Sequence, residues 1–287
     1  MNIFLSIIFL IIGFCVGSFI NMAIYRTKHK QNFLGNSFCD YCKKPLKAID
    51  LIPLFSFVLF KGKSRCCHKN LSIYMPVIEL ITGIVFLTLV NLYFPSLFTY
   101  FNRVTLEFIF LLVISPSLIF IFFYDLKYFE IPVLSVVYIY FSWVLYKIFD
   151  FGLLNYSNQL IQTSSPIGDY LVKSGYFSQQ VNYFYVDTGY TLAFALFTFL
   201  FFLLLFIITK GRGMGFGDVY FAPSLALIAY YPLSPIFLAS SFIVGAVFGV
   251  ILILIKNKTL KTAVPFGPFL IIGLVIALTF GKMYINL

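Results

Sequence analysis

Two aspartates stand where a carboxylate is expensive. Asp125 closes an apolar run, Phe122-Phe123-Tyr124-Asp125-Leu126-Lys127. Asp218 follows a glycine-rich turn, Gly211-Arg212-Gly213-Met214-Gly215-Phe216-Gly217-Asp218, that opens another apolar run. An ionisable side chain at the mouth of an apolar segment is a functional candidate because of its cost. Two carboxylates brought close do not readily ionise together, so the pair shares a proton. One can then deprotonate a water while the other protonates a carbonyl oxygen, which is the chemistry of peptide hydrolysis. Gly215 and Gly217, without side chains, would let a substrate backbone pass beside Asp218. Helix capping is the plain alternative. It suits Asp218, which precedes an apolar segment, but not Asp125, which ends one where negative charge is disfavoured.

A second set of reactive side chains lies in Cys39-x2-Cys42 and Ser64-Arg65-Cys66-Cys67-His68. A CxxC turn aims two thiolates at one point, as tetrahedral metal ligation requires. The other half is less regular: Cys66 and Cys67 are adjacent, with Ser64 two residues before Cys66. Cys39, Cys42 and Cys67 form the candidate ligand set, completed by Cys66 or by His68. The simpler alternative is a few free thiols with no metal. Glu79, inside Pro76-Val77-Ile78-Glu79-Leu80, is a further costly carboxylate; a hydrogen bond to a neighbouring helix is its plain reading.

The elements that position these residues follow from composition. Of 287 residues, 61% are hydrophobic and only 10% charged, far from the roughly one quarter charged of soluble domains. The apolar segments recur along the whole length, which a signal peptide does not explain. Spans of about 20 apolar residues are expected near 3–25, 73–92, 104–124, 131–149, 188–209, 219–232, 236–255 and 263–281, the sixth being short. The fold class is thus an all-α polytopic membrane protein. It has about eight transmembrane helices and a small cytoplasmic loop domain that carries the cysteines. Three parts are expected: a first transmembrane helix at 1–25, a basic loop domain at 26–72 and a membrane core at 73–287.

Charge sets the orientation. Between Arg26 and Lys69 lie ten Lys/Arg against Asp40 and Asp50, a net of +8 in one loop. The positive-inside rule puts this loop in the cytoplasm. With eight spans, Lys127, Lys210, Arg212, Lys256, Lys258 and Lys261 fall on the same side, making 16 of 20 basic residues. Asp125 and Asp218 then lie at one depth, on the cytoplasmic face. The net charge of +10 would raise nucleic acid as the partner of a soluble protein. Placed like this, it serves orientation and anionic lipid, and no nucleic acid is expected. Disulfides are disfavoured in the reducing cytoplasm. The outer connection at 150–187, rich in Ser, Asn, Gln and Tyr with Pro166 and Gly168, is expected to be an exposed, partly ordered loop.

Tyr124-Asp125 with Gly215-Phe216-Gly217-Asp218 resembles the GxGD-type membrane aspartyl proteases. Within that group the chain resembles the type IV prepilin peptidases. Gly17-Ser18-Phe19-Ile20-Asn21 with Ile24-Tyr25-Arg26 is similar to the family's N-terminal signature. Cys39-x2-Cys42 continuing to Asp50-Leu51-Ile52-Pro53-Leu54-Phe55-Ser56 is similar to its loop domain. Asp125-Leu126-Lys127, Ile131-Pro132, the GFGD turn and Val264-Pro265-Phe266-Gly267-Pro268-Phe269 follow in family order.

The resemblance implies a bifunctional enzyme of the bacterial inner membrane. It would cleave the leader from prepilins and pseudopilins at the cytoplasmic face, with Asp125 and Asp218 catalytic. It would then methylate the new N-terminus using S-adenosylmethionine, with Glu79 touching the methyl donor or the amine. It also implies zinc at the cysteines, not needed for cleavage. Two residues depart from the family: Tyr220, where lysine is usual, and Val133, where Asp or Asn is usual. A presenilin-like or signal-peptide-peptidase-like GxGD protease is a rival, weakened because Pro265-Phe266-Gly267 replaces that group's Pro-Ala-Leu. A transporter using the two aspartates as an ion or proton relay is another.

Overall fold

The computed structural model describes residues 3–33, 35, 37–39, 41–97, 102–211, 214–256 and 264–285. Arg212 and Gly213 of the glycine-rich turn, Asp40, Lys258 and Lys261 lie outside them. The described residues form helices: α1 Ile3–Lys28, α2 Phe55–Leu59, α3 Tyr74–Leu97, α4 Arg103–Tyr128, α5 Val133–Ser164, α6 Gly168–Lys173, α7 Tyr176–Thr209, α8 Phe216–Ala229, α9 Leu233–Lys256 and α10 Gly267–Ile285. Every one of the eight expected apolar segments becomes helix. Among the described residues, six helices (α1, α3, α4, α5, α7 and α9) are long and apolar enough to cross a membrane. The other two apolar helices, α8 and α10, have shorter apolar runs. At 14 residues, α8 rises only about 21 Å, short of a hydrocarbon core of about 30 Å. It is instead buried by protein along nearly its whole length, from Asp218 to Ala229.

The chain forms two compact units, Met1–Phe123 and Tyr124–Leu287. In the first, α1 and α3 pack backbone to backbone. A Cβ on Gly13 would lie 2.7 Å from the Gly83 Cα, and one on Gly17 would lie 2.6 Å from the Glu79 Cα. Gly13 and Gly17 thus make a small-residue seam of the kind that joins membrane helices. An aromatic cluster of Phe9, Tyr93 and Phe108 around Val90 closes the far end. In the second unit α8 is packed by α5, α7, α9 and α10. Phe202, Phe242, Phe266 and Phe269 fill the space between α7, α9 and the head of α10.

The segment 150–187 differs from the expected loop. α5 continues to Ser164 and α7 begins at Tyr176. Pro166 and Gly168 mark only the break before α6, and Gly175 at φ 74° marks the next. The polar side chains between those breaks carry no helix-stopping backbone preference. At 32 and 34 residues, α5 and α7 run to about 48 and 51 Å, well beyond a bilayer core. Their extensions are tied by Lys147 to Asp187 at 3.6 Å and by Phe151 against Phe184 and Tyr185.

Candidate active site

Asp125 occupies the last turn of α4, which Phe129 ends in the left-handed region at φ 57°. Asp218 lies in the first turn of α8, with Gly215 at its N-cap position. Both carboxylates are buried, at 4% and 5% exposure, and the charge of Asp125 acts on Asp218. Residues 93 positions apart (218 − 125) are therefore brought into one site.

Each carboxylate meets the N-terminus of a helix. Asp218 bonds to the backbone at Gly215 in the first turn of its own helix. The Gly267 N–H, first in α10, donates to Asp125 Oδ2 at 3.0 Å. Exposed N–H groups and the helix dipole both favour a carboxylate there. Asp125 thus ends one helix and caps another, which accounts for a position that capping within α4 could not explain. Gly267 is required by space as well, since a Cβ there would lie 2.6 Å from that same oxygen.

Ile131 joins the two halves. Its side chain packs on Gly217, where a Cβ would stand 3.1 Å from the Ile131 Cβ. Its carbonyl accepts from the Tyr220 hydroxyl at 2.6 Å, and Tyr140 donates to the Tyr220 carbonyl at 3.1 Å. Gly217 therefore lets Ile131 approach α8, while Gly215 has, among the described residues, only the Gly217 nitrogen, at 3.9 Å, near its missing Cβ. Tyr220 ties the turn after Asp125 to the helix that carries Asp218. Sequence reasoning assigned no site role to Gly267, Ile131 or Tyr220. The signal available for Gly267 was a glycine between aromatic and proline at the head of an apolar segment.

The first unit carries the other candidates. Glu79 is buried on α3. Its Oε2 accepts the Leu54 N–H at 2.7 Å, and Ser18 and Asn21 of α1 lie beside the carboxylate. Leu54 sits at φ 58°, ψ −45°, with the Phe55 N–H donating to the Pro53 carbonyl at 2.5 Å. That is a γ-turn of the hand strained for an L-residue, and Glu79 holds its central amide.

Cys39, Cys42, Cys66 and Cys67 bring their sulfurs within 4.8 Å of one another. Cys39 to Cys67 is 3.8 Å and Cys42 to Cys66 is 3.0 Å. Tetrahedral Zn–S bonds of about 2.3 Å imply sulfur edges of about 3.8 Å, so this donor set fits zinc. His68 is exposed and outside the group. Burial opposes a thiolate at Cys39, but bonds from the Cys42 and Tyr41 amides and the Ser64 hydroxyl bring it down to about 6. At Cys66 the Ser64 hydrogen bond is outweighed by Cys42, burial and the neighbouring Cys39, and the thiol rises to about 11.

A family model described as the Bacterial Peptidase A24 N-terminal domain matches residues 11–93, the stretch holding the α1–α3 seam, Glu79 and all four clustered cysteines. A prepilin leader peptidase/N-methyltransferase of Legionella pneumophila is 29% identical over 97% of this chain and 93% of its own length. One from Aeromonas salmonicida is 25% identical over 97% and 91%. Over nearly its whole length the chain is similar to these prepilin leader peptidase/N-methyltransferases, and the matches support a type IV prepilin peptidase. A prepilin leader peptidase/N-methyltransferase of Klebsiella pneumoniae is 37% identical over 26% of this chain and 36% of its own length. No solved structure matches.

Proposed function

We propose that the protein is a multi-pass aspartic endopeptidase of the bacterial inner membrane. It removes leader peptides from prepilins and pseudopilins at the cytoplasmic face and then N-methylates the new terminus. The observation that carries this reading is the meeting of Asp125 and Asp218, each buried and each at a helix N-terminus. In that setting one carboxylate takes the proton of a water poised at the scissile carbonyl, and the other gives its proton to the carbonyl oxygen. Gly215, open on its Cβ side among the described residues, is the point at which the substrate backbone approaches, and Gly217 keeps Ile131 close behind the dyad. The basic loop between α1 and α3 orients the chain, with its charge toward the cytoplasm.

The methyl donor is S-adenosylmethionine, the group that supplies the methyl. Glu79, the carboxylate expected to meet it, already accepts the Leu54 N–H at 2.7 Å, with Ser18 and Asn21 beside it. We assign Glu79 to holding the Leu54 turn and route no methyl-transfer step through it. Zinc at Cys39, Cys42, Cys66 and Cys67 would fix the two turns that carry them, a structural contribution to folding.

The test is cleavage by the purified protein in liposomes with a synthetic prepilin segment, followed by mass. Parent protein removes the leader mass and, with S-adenosylmethionine, adds one methyl. Asp125→Ala and Asp218→Ala each leave the segment whole while the protein stays in the membrane. Normal processing by either variant would overturn the assignment.

A further inference from the structure

The two turns that carry the cysteines are copies of one another, displaced by 25 residues. In the first, the Cys39 N–H donates to the Lys44 carbonyl and the Lys43 N–H to the Cys39 carbonyl, both at 2.9 Å. In the second, the Ser64 N–H donates to the Lys69 carbonyl and the His68 N–H to the Ser64 carbonyl, both at 2.8 Å. Lys43 and His68 are both left-handed, at φ 59° and 56°. Phe38 bridges Pro45 as Lys63 bridges Asn70. The outer bonds repeat too, Leu46 to Ser37 at 2.9 Å and Leu71 to Gly62 at 2.8 Å.

This congruence gives each side chain a counterpart. Ser64 corresponds to Cys39, Cys66 to Tyr41, Cys67 to Cys42 and His68 to Lys43. Ser64 thus stands at a ligand corner with the wrong atom. Its side chain nonetheless points inward: the residue is buried, and Oγ lies 3.3 Å from Cys39 Sγ and 3.1 Å from Cys66 Sγ. The counterpart of Cys66 behaves differently. Tyr41 is exposed and donates its hydroxyl to the Asn70 carbonyl at 2.8 Å, whereas Cys66 brings its sulfur to 3.0 Å from Cys42.

We propose that the metal site has exchanged two roles within the second turn: Cys66 supplies the fourth sulfur from a non-ligand position, and the Ser64 hydroxyl, left at the vacated corner, donates a hydrogen bond to the thiolates of Cys39 or Cys66. A hydroxyl has one proton to give, so it serves one of the two sulfurs at a time. Outer hydrogen bonds of this kind orient metal ligands and are worth about 10- to 100-fold in affinity. Four thiolates around a divalent ion carry a net −2, and Lys43, Lys44, Lys63, Arg65 and Lys69 surround the site in sequence to offset it. The inference rests on the zinc reading proposed above and is independent of the carboxylate chemistry.

The experiment uses the full chain in detergent, loaded with zinc for chelator competition and with cobalt(II) for absorption. Parent protein should show a four-sulfur tetrahedral cobalt spectrum. Cys66→Ser should lose about a quarter of the sulfur-to-cobalt charge-transfer intensity and weaken zinc binding at least about tenfold. Ser64→Ala should keep the four-sulfur spectrum yet release zinc to chelator about tenfold more readily. The decisive variant is Ser64→Cys combined with Cys66→Ser, which restores a regular second pair and should regain the parent's spectrum and affinity. This double variant also guards against a fold lost in the single ones. A Cys66→Ser protein indistinguishable from parent, or a double variant that does not recover, overturns the role exchange. An unchanged Ser64→Ala overturns the hydrogen bond. A parent chain that takes up no metal overturns the zinc reading itself, whatever the cleavage assay shows.

Discussion

Glu79 and the Asp125–Asp218 pair are all carboxylates buried in apolar helices, and they are treated in opposite ways. Glu79 is enclosed: its carboxylate accepts a backbone amide, with two polar side chains of another helix beside it. Asp125 receives one N–H, from Gly267, and Asp218 one backbone bond, at Gly215, among the described residues. Asp218 also senses the charge of Asp125, and the Tyr220 phenol senses both carboxylates. A buried carboxylate engaged by the groups around it is a structural joint, since leaving it unmet would cost several kcal/mol. A pair with acceptor capacity to spare, held by helix termini rather than side chains, can take a water and a carbonyl oxygen between them. The number of donors, more than burial, separates structure from chemistry here.

The comparison is broken most sharply by isosteric amides. Asp125→Asn and Asp218→Asn keep shape and remove the shared proton's base, so cleavage should fall by on the order of 10^3-fold or more. Glu79→Gln keeps an acceptor for the Leu54 N–H and should leave most cleavage in place. Glu79→Ala strands that amide beside a strained turn and should lower the stability of the first unit by about 1–3 kcal/mol. Thermal unfolding and leader cleavage, measured on the same preparations, separate the two effects. Loss of cleavage by Glu79→Gln equal to that of the aspartate variants would merge the two classes.

Gly267→Ala tests the terminus that holds Asp125. Its methyl would need the space of Asp125 Oδ2, 2.6 Å away, so the carboxylate must move. A displacement near 1 Å costs about 10^2-fold in rate. Cleavage should fall by about that factor at an unchanged membrane level. Near-parental activity would show that the Gly267 contact does not set the geometry of the dyad. Tyr220→Phe is milder, since it deletes only the hydroxyl bonded to the Ile131 carbonyl. A net loss of about 1 kcal/mol corresponds to roughly fivefold slower cleavage, with KM little changed. A larger effect would give the phenol a direct part in the reaction.

How far the sequence could go follows from which partners are side chains. Asp125, Asp218 and the cysteines are readable because their residue types are costly or distinctive where they stand. Gly267, Leu54 and Ile131 act through backbone N–H and C=O groups, which every residue possesses and no residue type announces. Asp125 and Gly267 are 142 positions apart, and only helix packing brings them together. The eight apolar segments were legible from hydropathy. The overlong α5 and α7 were not, because their polar extensions have the composition of a loop and differ only in lacking proline between Val133 and Ser164 and between Tyr176 and Thr209. The congruent cysteine turns were half legible: Ser64 reads as a defect in a motif, and only its inward-pointing hydroxyl shows that it still faces the site.

The smallest effect belongs to a carboxylate of a third kind, partnered but near water. Asp50 accepts from Arg65 Nε at 2.8 Å and Nη2 at 3.0 Å, and from the Lys47 N–H at 2.9 Å. The Arg65 hydrogen bonds hold its carboxyl below the usual range, against an opposing contribution from burial, with the Lys47 amide assisting. A carboxylate more acidic in the fold contributes stability above its unfolded value of about 4, and loses it as pH falls through the folded value. Because the Arg65 side chain is 37% exposed, water and salt screen the pair and the contribution is small. Hydrogen exchange at residues 47–51 should therefore accelerate as pH drops below about 4, after correction for the intrinsic rate. Asp50→Asn should show the faster corrected exchange already at neutral pH and little further change with acid. If parent and Asp50→Asn keep the same protection from neutral pH down to about 3, the pair orders nothing, and partner number alone would not rank this carboxylate above a free one.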